Sequence, residues 1–174
     1  MNLDPPERLV SELGRVREAW DEVPFVERRR TVDPEEYEEH RAACYDDRSF
    51  VYAGALVTRD GELLLVSPEW SDGWAEPGGT HEPGETVEET ARREAREETG
   101  LRIELTGVSR ANLLELTTGD REPLWSLGVT FEATPVEGDL RPEPGEIDDV
   151  GWFETLPDAL TYENYEEAVP DRFC

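Results

Sequence analysis

The stretch from Gly78 to Leu101 constrains the fold of this chain more than any other, because it predicts a turn followed by a helix. Pro83-Gly84 interrupts the chain, and neither residue type appears again until Gly100, which leaves room for about three and a half helical turns. Thr86 and Glu89 have the spacing of a capping box, in which each side chain accepts a hydrogen bond from a backbone N–H at the helix start. Gly100 suits the left-handed residue that follows the end of a helix.

Three carboxylates share one face of this predicted helix. Glu94, Glu97 and Glu98 stand at positions i, i+3 and i+4, so their Cβ atoms are expected within about 5–6 Å of one another. Like charges at this spacing destabilise a helix unless they are solvated or bind a cation. The neighbouring stripe is apolar and small enough for the helix to sit close to a sheet: Val87, Ala91 and Ala95. The carboxylate face is therefore expected at the edge of the core.

A solvated acidic helix is the alternative interpretation, because the chain has 43 acidic residues and acidic doublets are common in it. The full spacing argues against that alternative: Gly79, five residues, Glu85, seven residues, and then Arg93 through Leu101. This frame resembles the Nudix box, the signature of the Nudix hydrolase superfamily, at every fixed polar position. Ala95 and Leu101 fill the two apolar positions, and Ala95 is smaller than the usual aliphatic residue.

The resemblance implies both a fold and an activity. The fold is an α/β one, a Nudix-type α/β/α sandwich with a mixed β-sheet, over about residues 50–160. Members of the superfamily hydrolyse a diphosphate linked to another moiety, usually in nucleoside compounds, with Mg²⁺ or Mn²⁺ as cofactor. A small nucleotide or diphosphate compound is therefore the expected substrate.

The resemblance also implies roles for individual residues. By position, Glu94, Glu97 and Glu98 match the metal-binding and catalytic glutamates of the family. Arg93 and Glu85 match the supporting pair that helps to hold the loop to the helix. Hard divalent cations prefer such oxygen ligands, and Mg²⁺ commonly completes its shell with water and substrate phosphate.

Further ligands are expected outside the helix. The carbonyl of Gly78 matches a backbone metal ligand of the family. Some family members use a general base outside the box, and Glu146, just before the last predicted strand, is our candidate for it and for an added metal ligand. Glu115, Glu143 and Asp148 are the other carboxylates considered for this role.

Aromatic residues could stack on a nucleobase. Trp74, Trp125 and Tyr52 are the candidates for substrate binding, although each is more often a core residue. Glu76 stands where an aliphatic or aromatic residue usually precedes the proline that leads into the box. Its presence predicts a more polar loop entrance or an additional carboxylate near the metal.

Two groups of arginines admit two interpretations. Arg92 and Arg96 could clamp phosphate, but they lie well round the helix from the carboxylate face, which favours surface counter-charges. The cluster Arg28 to Arg30 could bind phosphate, but an extension neutralised by neighbouring acidic residues is favoured.

The same fold also supports two other functions. An enzyme like isopentenyl diphosphate isomerase needs an active-site cysteine motif that neither Cys44 nor Cys174 provides. A non-catalytic Nudix-fold module that only binds nucleotides usually has a degraded box, whereas this box is intact. Leu116 and Gly119 stand about where submotifs for particular substrates would place proline and tyrosine, so the substrate stays open.

The composition indicates adaptation to high salt. The 174 residues carry a net charge of −26, with a pI near 4.2 and 17 basic residues, all of them arginine. Such a surface repels nucleic acid and anionic membranes, so neither partner is expected. The sequence shows no charged-then-apolar leader and no apolar run long enough to span a membrane, which predicts a cytoplasmic protein.

The order of predicted elements suggests one catalytic domain and an extension. Residues 1–49 are expected to form a helical extension, not an independent domain, that supports a homodimer or covers the sheet; residues 50–174 form the Nudix domain. The predicted helices lie at 7–20, at 33–43, in the box, at Leu156–Leu160 and at Thr161–Val169. The predicted strands lie at 50–58, 62–66, 101–105, 111–117, 125–133 and 147–153, with a polar loop at 135–145.

Overall fold

A computed structural model describes residues 4–45, 47–162 and 169–173. Within these ranges the chain forms three α-helices: α1 (Glu7–Ala19), α2 (Pro34–Ala43) and α3 (Val87–Thr99). It forms seven strands: β1 (Phe25–Thr31), β2 (Ser49–Arg59), β3 (Glu62–Pro68), β4 (Gly78–Thr80), β5 (Arg102–Thr117), β6 (Leu124–Glu137) and β7 (Ile147–Phe153). A single turn of 3₁₀ helix follows at Asp171–Phe173.

The strands form one mixed sheet in the order β1-β5-β6-β2-β3-β7, with β4 paired beside β2. The β1–β5 and β2–β6 pairs are parallel, and the others are antiparallel. The turn at Asp60-Gly61 has φ values of 50° and 88°, as the mirror-image turns of tight hairpins require. The mixed α/β fold predicted from the sequence is confirmed.

Helices cover both faces of the sheet. Successive side chains of a strand point to opposite faces, and on β5 Leu113 belongs to the main core with α1 and α3 whereas Leu116 packs with Tyr37 of α2. The main core buries the apolar faces of α1 and α3 against β2, β5 and β6. Within the described part of the chain, no helix is long and apolar enough to cross a membrane.

β5 is one strand of 16 residues, where the sequence predicted two separate strands. Leu105, Val108 and Ala111 are all buried in the same core although they are spaced by three residues. The pairing with β6 shifts between Leu105 and Gly107 and again between Val108 and Arg110. Each bulge adds a residue and restores the inward direction of the apolar side chains, which a strict period of two cannot anticipate.

The N-terminal segment contains a strand as well as the expected helices. β1 pairs in parallel with β5 at the edge of the sheet. Two of its arginines are engaged by acidic neighbours, since Arg29 lies 2.6 Å from a carboxylate oxygen of Glu115 and Arg30 contacts Glu36. These contacts favour the interpretation of the segment as a neutralised extension and argue against a phosphate-binding arm.

The helix predicted at Leu156–Leu160 is wrong. Its backbone groups bond to distant segments: the N–H of Leu156 donates to the carbonyl of Phe173, and the carbonyl of Ala159 accepts from the N–H of Trp74. Pro157 also lacks an N–H to donate. Most of the helix predicted at Thr161–Val169 lies outside the described residues, and the loop predicted from residue 135 begins later because β6 continues to Glu137.

Candidate active site

The box helix α3 begins and ends where the sequence predicted. Thr86 Oγ1 accepts a hydrogen bond from the N–H of Glu89, and a carboxylate oxygen of Glu89 accepts one from the N–H of Thr86. Gly100 has φ 76° and closes the helix in the left-handed conformation. The small apolar stripe is fully buried: Val87, Ala91 and Ala95. Its burial holds α3 tightly to the sheet and leaves the carboxylates at the edge of the core.

Two glycines of β4 allow the preceding loop to touch both the sheet and the helix. A Cβ atom on Gly78 would lie 2.6 Å from the Cα of Gly54 on β2, and one on Gly79 would clash with the carboxylate of Glu94. A larger residue at Gly78 would push the loop away from the sheet, and one at Gly79 would displace the carboxylate of Glu94. The close approach brings backbone groups of β4 to the carboxylate face of α3.

Arg93 holds the loop and two box glutamates together. Its Nε and Nη2 donate to the two carboxylate oxygens of Glu85, at 2.7 and 3.1 Å. Its Nη1 donates to Glu94 at 2.7 Å and to Glu97 at 3.1 Å, and Nη2 also donates to the carbonyl of Thr80 at 3.2 Å. A guanidinium offers this planar set of donors and a lysine does not.

Glu85 anchors this network from the loop before the helix. The hydrogen bonds from Arg93, with a further one from Thr90 Oγ1 at 2.8 Å, lower the pKa of Glu85 to about 2. Charge-assisted bonds of this kind favour the ionised carboxylate. The predicted supporting role of Arg93 and Glu85 agrees with these contacts.

Glu98 is the most buried of the three box carboxylates, with 9% of its surface exposed. It accepts a hydrogen bond from the N–H of Gly78 at 2.8 Å. Burial nevertheless raises its pKa to about 8, with Glu94, Glu143 and Glu146 adding repulsion. Burial likewise raises the pKa of Glu94 against the opposing effect of Arg93. A buried and repelled carboxylate is the group that a cation would stabilise most.

The carboxylate oxygens of the box suit a hard divalent cation, although they do not converge on one point. Among residues 4–45, 47–162 and 169–173, no three acidic, histidine or cysteine side chains stand ready as a cation site. Glu94 and Glu97 are turned towards Arg93, so a cation would have to draw oxygens away from the guanidinium. Carboxylate oxygens nevertheless remain the preferred ligands of Mg²⁺, and the repulsion between them favours that exchange.

A cavity of about 450 Å³ opens beside Glu98. Gly78, Tyr52 and Glu146 line it together with Glu98, so four of the residues predicted for the site lie together. Glu146 lies just before β7 and is close enough to raise the pKa of both Glu94 and Glu98. The volume is in the range of ligand pockets.

Two aromatic residues of this cavity were missed by the sequence analysis. Trp70 is 70% exposed and Tyr162 is 43% exposed, and their ring centroids are 6.4 Å apart. Burial of its hydroxyl group, with Glu76 and Glu98 nearby, raises the pKa of Tyr162 to about 12. A tryptophan inside a polar loop between Pro68 and Gly73 was the one available signal.

Glu76 lies inside the same cavity, as the more polar loop entrance would require. Only 7% of its surface is exposed. Thr130 Oγ1 lies 3.5 Å from one of its oxygens, and a Cβ on Gly54 would come within 3.2 Å of its Cγ. The glycine on β2 therefore leaves room for this buried carboxylate.

The structure does not bring the other candidates into this cavity. Trp74 packs edge-on against Phe153 at 4.7 Å in a separate apolar cluster, and Trp125 is 7% exposed within the main core. Glu115 bonds Arg29 on the edge strand. Asp148 is exposed on β7, while Glu143 lies on the loop before it, close enough to raise the pKa of Glu98.

Known proteins resemble the chain in sequence over this region. It is 40% identical over 101 residues to the NAD-capped RNA hydrolase NudC of Chromobacterium violaceum, covering 57% of this chain and 36% of that protein. It is 36% identical over 108 residues to the nucleoside triphosphatase NudI of Enterobacter sp. (strain 638), covering 56% of this chain and 76% of that protein. The chain thus spans about a third of the length of its NudC relatives.

Comparison with solved structures shows which known fold the chain shares. The crystal structure of a MutT NUDIX hydrolase from Burkholderia pseudomallei superposes with a TM-score of 0.57 at 26% identity, covering 69% of this chain and 95% of that one. The model of the NUDIX domain matches residues 48–169. The predicted Nudix fold is confirmed, and the chain belongs to the NUDIX domain family.

Proposed function

We propose that this protein is a Mg²⁺-dependent hydrolase that cleaves a pyrophosphate linkage in a nucleoside diphosphate-linked compound or a nucleoside triphosphate. The observation that carries the proposal is the buried, repelled carboxylate of Glu98 beside Glu94 and Glu97 at the wall of a cavity. The relatives agree with this substrate class, since one is named for NAD-capped RNA and the other for nucleoside triphosphates.

The proposal divides the work among the residues of the site. A divalent cation on Glu94, Glu97 and Glu98, with the carbonyl of Gly78, would neutralise the pyrophosphate and lower the pKa of a bound water. Mn²⁺ satisfies the same oxygen ligands. Arg93 holds the side chains of Glu94 and Glu97 together, and the cation would draw their oxygens away from the guanidinium.

Other residues of the cavity act on the substrate in this proposal. Glu146 borders the cavity next to Glu98 and accepts the proton of the attacking water. Trp70, Tyr52 and Tyr162 offer aromatic surface to a base. Glu76 accepts hydrogen bonds from N–H or O–H groups of the base or the sugar through its carboxylate oxygens.

The two other functions find less support. In an isomerase of the same fold a cysteine would have to face the cavity, but Cys44 packs with α2 and Leu116 on the opposite face from α3, and Cys174 lies outside the described residues. A module that only binds nucleotides would not need three carboxylates whose repulsion has to be offset.

Hydrolysis of a panel of nucleotides with Mg²⁺ tests the proposal. We expect compounds with a diphosphate linkage to yield two phosphorylated products, and phosphate monoesters to stay intact, because the proposed reaction cleaves a pyrophosphate linkage that monoesters lack. EDTA should abolish turnover, and product analysis by chromatography is the measurement. If the protein binds Mg²⁺ and nucleotide but cleaves no diphosphate compound, the binding module becomes the better description.

We also propose that the protein is adapted to high salt and works in the cytoplasm. The net charge is −26, so the acidic side chains repel one another strongly until the Debye length falls to about 3 Å, near 1 M salt. The midpoint of thermal unfolding should therefore rise steeply between about 0.1 and 3 M KCl. A midpoint that stays constant over this range would contradict the adaptation.

A further inference from the structure

A second cavity, of about 670 Å³, borders the box helix and is rich in arginine. Arg92 and Arg96 reach it from α3, Arg102 from the start of β5, and Arg141 from the loop before β7. The sequence separates these residues, and the fold brings them to one groove. We call it the arginine groove.

Most arginines of this chain are engaged, which is expected where acidic residues outnumber basic ones by 43 to 17. Counting only partners within the described residues, four arginines have neither an ion pair nor an aromatic partner: Arg41, Arg92, Arg96 and Arg141. Three of these four line the arginine groove. Random placement of surface counter-charges would not concentrate them there.

The positions of these side chains carry an electrostatic cost. Arg92 and Arg96 are four residues apart on α3, where like charges repel. Arg141 joins them from the loop, and its side chain passes close to Gly100 at the end of α3. An anion between the guanidinium groups would remove this repulsion, and the planar donor fork of arginine matches the oxygens of phosphate.

The arginine groove is adjacent to the box carboxylates. Glu97 and Glu143 line it as well as Arg93, and Arg93 donates to both Glu94 and Glu97. A substrate whose diphosphate lies at the carboxylates could therefore extend a further charged group into the groove. The base of the substrate would then lie in the cavity beside Glu98, next to its aromatic residues.

We propose that the arginine groove binds a phosphate group of the substrate that lies beyond the cleaved linkage. The proposal rests on the proposed function for the identity of the substrate, but the affinity of the groove for phosphate does not depend on turnover. It assigns Arg92, Arg96 and Arg141 to recognition, where the sequence favoured surface counter-charges for the first two.

Binding of inorganic pyrophosphate to the metal-free protein tests the groove directly. In EDTA, at a fixed and moderate salt concentration, calorimetric titration should show that Arg96→Gln weakens binding about tenfold, as the loss of one charge-assisted contact predicts. Arg41→Gln is the matched control, because it removes one unpaired positive charge far from the groove and should leave the affinity unchanged. The pyrophosphate affinity of Arg96→Lys should lie between those of the other two variants, because lysine keeps the charge but lacks the planar donors of arginine.

Steady-state kinetics separate the groove from the chemistry. We expect Arg92→Gln and Arg96→Gln to raise KM for a nucleoside triphosphate about tenfold each at nearly constant kcat, and to leave KM for a nucleoside diphosphate sugar unchanged. Equal pyrophosphate affinities in Arg96→Gln and Arg41→Gln would overturn the groove and leave the hydrolase standing. If pyrophosphate bound as expected but the protein hydrolysed nothing, the groove would be supported and the proposed hydrolase overturned.

Discussion

Replacing Glu97 or Glu98 by glutamine is expected to lower kcat/KM for a diphosphate substrate about a thousandfold, an effect of several kcal/mol on the transition state. Each substitution keeps the shape of the side chain and removes the charge that a divalent cation would need. Initial rates at saturating Mg²⁺ and over a range of Mg²⁺ concentrations are the measurement. The apparent affinity for Mg²⁺ should fall together with the rate.

Glu88→Gln provides the matched control for both variants. Glu88 lies on the same helix and carries the same charge, but it accepts a hydrogen bond from the indole N–H of Trp20 at 2.9 Å, which a glutamine oxygen can also accept. Its rate should stay within a fewfold of wild type. If Glu97→Gln and Glu98→Gln also stayed within a fewfold, the carboxylate face would be merely a solvated one and the assignment would be refuted.

The box helix could be predicted from sequence because its determinants are local. The cap at Thr86, the left-handed Gly100 and the small stripe with Ala91 and Ala95 lie within one turn or two of the residues they act on. The grouping of Glu94, Glu97 and Glu98 follows from helix geometry alone. Local rules are therefore sufficient to predict the helix and the grouping of its carboxylates.

The remainder of the site depends on contacts between distant segments. Trp70 and Tyr162 meet across 92 positions of the chain, and no periodic pattern predicts such a meeting. Aromatic residues serve cores and sites equally well, so Trp74 and Trp125 could not be assigned from sequence to either. Once the sheet order is known, both are seen to pack in apolar clusters.

The arginine groove shows the same limit in electrostatic terms. Sequence spacing predicts that Arg92 and Arg96 lie well round the helix from the carboxylate face, but it does not reveal that they share a cavity with Glu97, Arg102 and Arg141. The bulges of β5 and the extension of β6 to Glu137 set where these segments run. The environment of a charge is decided by the fold more than by its neighbours in sequence.

Without metal, Glu98→Gln is expected to make the protein more stable than wild type at pH 8 and nearly equal to it at pH 5. The pKa of Glu98 is raised from an ordinary 4.5 to about 8 in the folded state. The folded state therefore binds more protons than the unfolded state between these values, so this group's contribution to stability is lost as pH rises through that window. Glutamine has no charge to bury, and the gain at pH 8 should be about 2–4 kcal/mol in the free energy of unfolding.

Chemical denaturation in EDTA at about 2 M KCl, where the general repulsion between carboxylates is screened, measures this difference at each pH. Glu97→Gln is the control, since its side chain is 47% exposed and its ion pair with Arg93 is worth at most about 1 kcal/mol. Glu85 affects stability in a separate pH range, because its pKa is lowered to about 2 and its contribution is lost only as pH falls below 4.5.

Added Mg²⁺ should reverse the order of the two stabilities at pH 8 by stabilising wild type more than Glu98→Gln. A Glu98→Gln variant that is less stable than wild type at pH 8 in EDTA would show that the buried carboxylate is held for structure, with no cation required to offset its charge.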